Sequence, residues 1–155
     1  MSGILLIWGT RPEAIKLGPV FAALQERGAL AASLCTGQHT DLLRGTPAET
    51  DLAVSESLGF ASDGNVMRWI TWVQARLGEV LGRLQPDIVV VQGDTMSAHT
   101  GALSAQLAGI AVAHIEAGVR SHNENDPWPE EKTRVAIAQI ARWHYAPTAQ
   151  AFANL

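Results

Sequence analysis

The sequence predicts an α/β fold: a mainly parallel sheet with helices on both faces. Three observations carry that expectation. Short apolar runs recur without polar alternation, as strands buried on both faces require. Each run is followed by a longer stretch with apolar residues at helical spacing. Polar and ionisable residues gather just after the runs, where ligands sit in open parallel sheets.

The first run, residues 3–8 (Gly-Ile-Leu-Leu-Ile-Trp), reads as a buried strand. Residues 14–26 then place Ile15, Leu17, Val20, Phe21 and Leu24 at helical spacing. Residues 31–36 are again strand-like. The region 45–64 is irregular, and Leu52-Ala53-Val54 is its strand candidate. A helix opens at Asn65 or Val66 and runs to Leu84, with Trp69, Ile70, Val73, Leu77, Val80, Leu81 and Leu84 on one stripe. Pro86 cannot continue it. Residues 88–91 (Ile-Val-Val-Val) form the clearest strand. A helix over 97–108, a strand over 111–115, a helix over 130–142 and a short strand over 143–146 follow. Thr148 is placed to cap a final helix over 149–155.

The 155 residues suit one domain, 1–155, and 47% hydrophobic against 17% charged residues fits a chain folding around a core. The 14 glycines and 7 prolines follow no repeat, which excludes collagen-like and solenoid architectures. A net charge of −4 gives no electrostatic footprint for nucleic acid. No apolar run approaches the ~20 residues of a membrane helix, and the start lacks the basic region of a signal peptide. The single cysteine, Cys35, can form neither an internal disulfide nor a zinc site. A cytoplasmic protein with neither membrane nor nucleic-acid partners is expected.

Four loops follow predicted strands and converge on one sheet edge: Thr10-Arg11-Pro12-Glu13, Gln38-His39, Gly93-Asp94-Thr95 and Glu116-Ala117-Gly118-Val119-Arg120. Helix-start N–H groups with Arg11 and Lys16 favour a phosphate or carboxylate, while a surface Arg11–Glu13 pair is the plain alternative. Asp94 is either a reactive carboxylate or the cap of the next helix. Glu116 is free for chemistry or paired with Arg120. Glu130 and Arg134, four apart on a helix, are site groups or a solvated pair. Three carboxylates at one edge repel each other and raise a pKa unless cations intervene; such groups suit acid–base work. No histidine or cysteine spacing fits a metal site. The tryptophans read as core and loop anchors.

Taken together, Gly9-Thr10-Arg11-Pro12-Glu13-Ala14-Ile15-Lys16, Val91-Gln92-Gly93-Asp94-Thr95, His114-Ile115-Glu116-Ala117-Gly118-Val119-Arg120 and Pro127-Trp128-Pro129-Glu130-Glu131-Lys132-Thr133-Arg134 resemble the non-hydrolysing UDP-N-acetylglucosamine 2-epimerases. The resemblance implies the Rossmann-like, N-terminal half of a glycosyltransferase-B-like architecture, about half of a family member, whose second UDP-binding domain is absent from this chain. It implies interconversion of UDP-GlcNAc and UDP-ManNAc without metal or nicotinamide cofactor. The C2 proton is lost as UDP leaves, giving 2-acetamidoglucal, and both return with the opposite configuration. It implies catalytic roles for Asp94, Glu116 and Glu130, and substrate contacts for Arg11, Lys16, Arg134, Gln38 and His39. The expected partners are a UDP-sugar, the missing C-terminal domain or a partner subunit, and a second copy in a homodimer. The half alone is expected to be inactive. Two alternatives are a non-catalytic domain that binds a nucleotide sugar or a partner, and one subunit of a split glycosyltransferase.

Overall fold

A computed structural model describes residues 3–38, 52–59 and 64–155. Its strands are β1 (Ile4–Trp8), β2 (Leu30–Cys35), β3 (Glu56–Ser57), β4 (Ile88–Gln92), β5 (Ala111–Ile115) and β6 (Trp143–Tyr145). Among the described residues the helices are α1 (Arg11–Glu26), α2 (Val66–Leu84), α3 (Met96–Leu107), α4 (Glu130–Ile140) and α5 (Ala149–Ala153). The six strands lie in the order β3-β2-β1-β4-β5-β6, and every neighbouring pair is parallel.

Alternation along each strand divides the core into two layers. Leu5 and Ile7 of β1, Leu34 of β2 and Val89 and Val91 of β4 pack against α2 and α3, through side chains such as Trp69, Val73, Leu77 and Ala102. Leu6, Trp8, Cys35 and Val90 point the other way, onto Ala14, Leu17 and Phe21 of α1. Helices therefore lie on both faces, as the unalternating apolar runs predict. The one polar side chain this second layer accepts from β2, Ser33, takes the Trp8 indole N–H at 3.0 Å. The α2 stripe is as expected, and burying a side chain such as Leu77 contributes roughly 1.5–3 kcal/mol. None of the described helices is long and apolar enough to cross a membrane.

Several boundaries differ from the sequence reading by a residue or two, the final helix among them, which ends at Ala153 and not at Leu155; three differences bear on the site or the sheet. Helix α1 begins at Arg11 rather than at Ala14. Pro12 occupies the first turn, where no N–H is needed, and the Glu13 carboxylate takes the Thr10 N–H at 2.7 Å. The third strand is Glu56–Ser57, not Leu52-Ala53-Val54. Leu52 is apolar because it is fully buried against the α1 layer; the ladder is instead made by Glu56 and Ser57 opposite Leu34 and Cys35. Helix α4 stops at Ile140, short of Arg142.

The topology fixes where a ligand can sit. The chain runs from β1 outward through β2 to β3, then returns to place β4 against the other side of β1. The connections leaving β1 and β4 therefore diverge, and the crevice at a topological switch point opens between their carboxyl ends. Helix α5 closes one side of this edge. At Gly118 (φ 80°) an added Cβ would stand 1.9 Å from the Ala151 carbonyl oxygen.

This contact can be separated from backbone strain with a matched pair. Gly109 has a similar φ of 73° but open space around its Cα. Gly109→Ala should lower stability by about 1 kcal/mol, the left-handed penalty alone. Gly118→Ala should cost about 3 kcal/mol or more, because overpacking adds to it. Urea unfolding of both variants checks this; equal losses would contradict the packing of α5 on Gly118.

Candidate active site

The β1–α1 loop starts at Gly9, where a side chain has no room. A Cβ there would meet Ser97 Oγ at 2.0 Å and Thr36 Oγ1 at 2.1 Å. Those hydroxyls hydrogen-bond each other at 2.8 Å. Gln38 Oε1 accepts from the Ser97 N–H at 2.9 Å and from the Ser97 hydroxyl at 2.6 Å. With the Ser97 proton so committed, Thr36 is the donor to Ser97. The end of β2 is thus tied to the start of α3.

Glu13 does not pair with Arg11 at the surface. It turns inward and is 1% exposed. One carboxylate oxygen accepts the N–H groups of Gly9 and Thr10 and the Thr10 hydroxyl; the other accepts the Thr95 hydroxyl at 2.7 Å. Burial raises its pKa, and the bonds from Thr10, Thr95 and Gly9 act against that rise. Arg11 stays exposed at the helix start.

Asp94 follows Gly93, whose φ of 71° turns the chain out of β4. The turn is held from β5: the Gly93 N–H bonds the Ile115 carbonyl at 2.9 Å, and His114 Nε2 lies 2.7 Å from the Gly93 carbonyl. A carbonyl only accepts, so this nitrogen carries the proton. Burial lowers the pKa of His114 and favours that neutral form. Asp94 is not the cap of α3. Thr95 is, accepting the Ala98 N–H at 3.0 Å. The Asp94 carboxylate instead receives Arg134, and its carbonyl receives the Thr133 hydroxyl, both from α4.

Glu116, at the tip of β5, has φ 67°. Left-handed backbone costs a residue with a Cβ roughly 1–2 kcal/mol, and such strain clusters at functional sites. Its carboxylate accepts from Lys16 Nζ at 2.5 Å and from Gln92 Nε2 at 2.5 Å. It is not paired with Arg120, whose guanidinium donates to the Val119 carbonyl at 2.8 Å. Nor does Arg134 pair with Glu130. It joins Asp94 and, at 3.1 Å, Glu131. Burial works to raise the pKa of Glu131, but the Ser121 backbone and hydroxyl, the Arg134 charge and the His122 N–H outweigh it and hold it below the ordinary 4.5.

The expected repulsion among carboxylates is therefore met by interleaved cations, Lys16 on Glu116 and Arg134 on Asp94. Between the tips lies a cleft of about 770 Å³. Thr10, Gln38, Asp94, Thr95 and Glu130 supply polar wall, and Met67, Ile70, Met96 and Trp128 supply apolar wall. Trp128 is 67% exposed at this cleft and so is no core anchor, unlike Trp8 and Trp69. Of the expected site residues, Asp94, Glu130 and Gln38 line the cleft, with Glu116, Lys16 and Arg134 joined in the pairs beside it. His39 lies outside the described residues. Carboxylates beside fixed cations can exchange a proton at carbon while an anionic group leaves. No group of three His, Cys, Asp or Glu side chains able to hold a metal occurs among the described residues.

The sequence reading gives no site role to Glu13, Gln92, Glu131 or Thr133. Two carried signals: Thr10-x-x-Glu13 has the spacing of a helix-start motif, and Glu131 stands three residues before Arg134 on a helix. Gln92 and Thr133 act through tertiary contacts that leave no local pattern.

Fold and site together define a parallel α/β domain with carboxylates and cations massed at its topological switch point. The family described as UDP-N-acetylglucosamine 2-epimerase matches residues 22–155. A UDP-N-acetylglucosamine 2-epimerase from Neisseria meningitidis is 36% identical over 154 residues, 98% of this chain and 41% of the relative. The crystal structure of UDP-GlcNAc 2-epimerase from Neisseria meningitidis bound to UDP-GlcNAc aligns with a TM-score of 0.89 at 34% identity, covering 98% of this chain and 42% of that one. MurG from Acinetobacter baumannii aligns with a TM-score of 0.63 at 18% identity over 93% of this chain and 40% of its own, a likeness of fold alone. This chain belongs to the UDP-N-acetylglucosamine 2-epimerase family, and its sheet matches the glycosyltransferase-B-like N-terminal domain. It spans about two fifths of the length of the curated relatives it matches.

Because the folded pKa of Glu131 is depressed, its ionised form stabilises the fold above the ordinary 4.5, and that contribution is lost as pH falls through the folded value. Glu131→Gln should lower stability by about 2 kcal/mol at neutral pH. The gap from wild type should narrow below the ordinary carboxylate range. Urea unfolding across pH checks this, and a gap undiminished in acid contradicts it.

Proposed function

We propose that residues 1–155 are the N-terminal, carboxylate-bearing domain of a non-hydrolysing UDP-N-acetylglucosamine 2-epimerase. The observation that carries the reading is the meeting of Asp94 and Glu130 on one cleft, with Glu116 and its Lys16 partner on the next strand tip, in a chain of this family. The substrate is UDP-GlcNAc. Its C2 proton passes to a carboxylate as the C1–O bond to UDP breaks, leaving 2-acetamidoglucal and UDP. UDP then re-forms the C1–O bond while a proton is delivered to the opposite face of C2, giving UDP-ManNAc.

In this reading Asp94, Glu116 and Glu130 carry the proton transfers and the electrostatics around the sugar. Arg11, Lys16 and Arg134 balance the charge of the departing diphosphate, and Gln38 and His39 contact substrate. The remainder of the fold, supplied by further chain or by a partner subunit, closes the cleft and grips the nucleotide, so the domain by itself is inactive. The enzyme works in the cytoplasm, and a second copy completes a dimer.

The test joins this chain to the remaining portion of a relative's fold and follows UDP-ManNAc formation from UDP-GlcNAc. Asp94→Asn should lower kcat by about a hundredfold or more, the scale of a lost acid–base group, with the unfolding midpoint nearly unchanged. Glu130→Gln should behave alike and release 2-acetamidoglucal if only elimination survives. Wild-type turnover in Asp94→Asn removes that residue from the chemistry, and a folded wild-type assembly that forms no UDP-ManNAc overturns the reading.

A further inference from the structure

Glu13 lies outside the cleft and is the most buried carboxylate beside it, yet no cation meets it among the described residues. Its four donor groups, on three residues, come from two loops. Gly9 and Thr10 belong to the loop after β1, which leads into Arg11 and Lys16. Thr95 belongs to the loop after β4 and adjoins Asp94. No ladder bond spans these two loops, because β1 and β4 pair only from Ile4 to Leu6 on one side and from Ile88 to Val90 on the other. The strands splay above that point, which is what opens the crevice. A carboxylate suits the junction because both of its oxygens accept, whereas an amide would turn an N–H group toward one of the donors. Thr95 also caps α3, so its hydroxyl is fixed at two points, through its proton to Glu13 and through its lone pair to the Ala98 N–H.

We propose that Glu13 is a positioning residue, a carboxylate bridge across the β1–β4 crevice that sets the Asp94 loop relative to the loop bearing Arg11 and Lys16. Its role in turnover rests on the epimerase reading; its role as a bridge does not. Substrate need not touch it. It acts by holding Thr95, and through Thr95 the backbone on which Asp94 meets Arg134.

The test is a double-mutant cycle of Glu13→Gln and Thr95→Val on the 155-residue chain, read by urea unfolding and by backbone amide spectra. The bridge predicts that the two losses are not additive, the double variant losing less than the sum of the two single losses because the shared hydrogen bond is lost only once. It also predicts that Thr95→Val shifts the Gly9 and Thr10 amide signals, that Glu13→Gln shifts those of Asp94 and Thr95, and that Thr95→Ser restores the wild-type spectrum. Loss of the α3 cap is common to both Thr95→Val arms and cancels in the cycle. If Glu13→Gln does not fold, the Thr95→Val and Thr95→Ser spectra still decide. Unmoved Gly9 and Thr10 signals in Thr95→Val, or additive losses, overturn the bridge. In the epimerase assay, Glu13→Gln should lower kcat about a hundredfold, as misplaced catalytic groups do, with KM little changed. An inactive wild type alongside a coupled cycle upholds the bridge and counts against the epimerase reading alone.

Discussion

Backbone pairing in a sheet whose central strands are buried on both faces leaves the chain one place for polar chemistry. The interior residues of β1, β4 and β5 face α1 on one side or α2 and α3 on the other, and their N–H and C=O groups are spent in the ladder. Charged side chains can be placed cheaply only where the strands end. Because β1 leads away to β2 while β4 leads to β5, the chain also parts at that edge, and the cleft lies in the gap. The position of the site follows from the topology before any catalytic residue is considered.

Crowding acids into such a place requires charge balance and fixed geometry. Arg134 spans Asp94 and Glu131, and Lys16 reaches Glu116 from α1. The Lys16–Glu116 pair is open to solvent and contributes little to stability on its own, whereas Arg134 and Glu131 are buried together. The consequence of these pairs is orientation. Asp94 is pinned through its carboxylate and carbonyl by α4, and the turn before it through Gly93 by β5. A group so held loses little further freedom on meeting a substrate, and preorganisation of that kind is a large part of electrostatic catalysis. The strained backbone of Glu116 is maintained at the same edge by Lys16 and Gln92.

Much of this was legible in the residues. Unalternating apolar runs announced the parallel sheet, and the polar residues after them announced the edge at which its charged groups gather. What failed was the choice of partner. Arg134 is four residues from Glu130 and three from Glu131, so spacing allows either partner, and nothing local chooses Glu131 or adds a strand tip 40 residues away. Asp94 precedes a helix and looks like a cap, but Thr95 is one residue nearer the helix start and its hydroxyl suffices. The apolar character of Leu52 marked burial rather than pairing, since a short edge strand such as Glu56–Ser57 needs only a free ladder and carries no hydrophobic signature. Partners that arise from tertiary packing are not encoded in spacing; elements that arise from periodic burial are.

The claim that strand-tip carboxylates exchange a proton at the sugar C2 carbon is tested most directly by running the reaction in D2O. The chain, joined to the remaining portion of the fold, is incubated with UDP-GlcNAc and the sugar C2 position is followed by proton NMR. The account predicts that UDP-ManNAc forms with deuterium at C2, and that recovered UDP-GlcNAc gains deuterium there as well. UDP-ManNAc that keeps its original C2 hydrogen would contradict it.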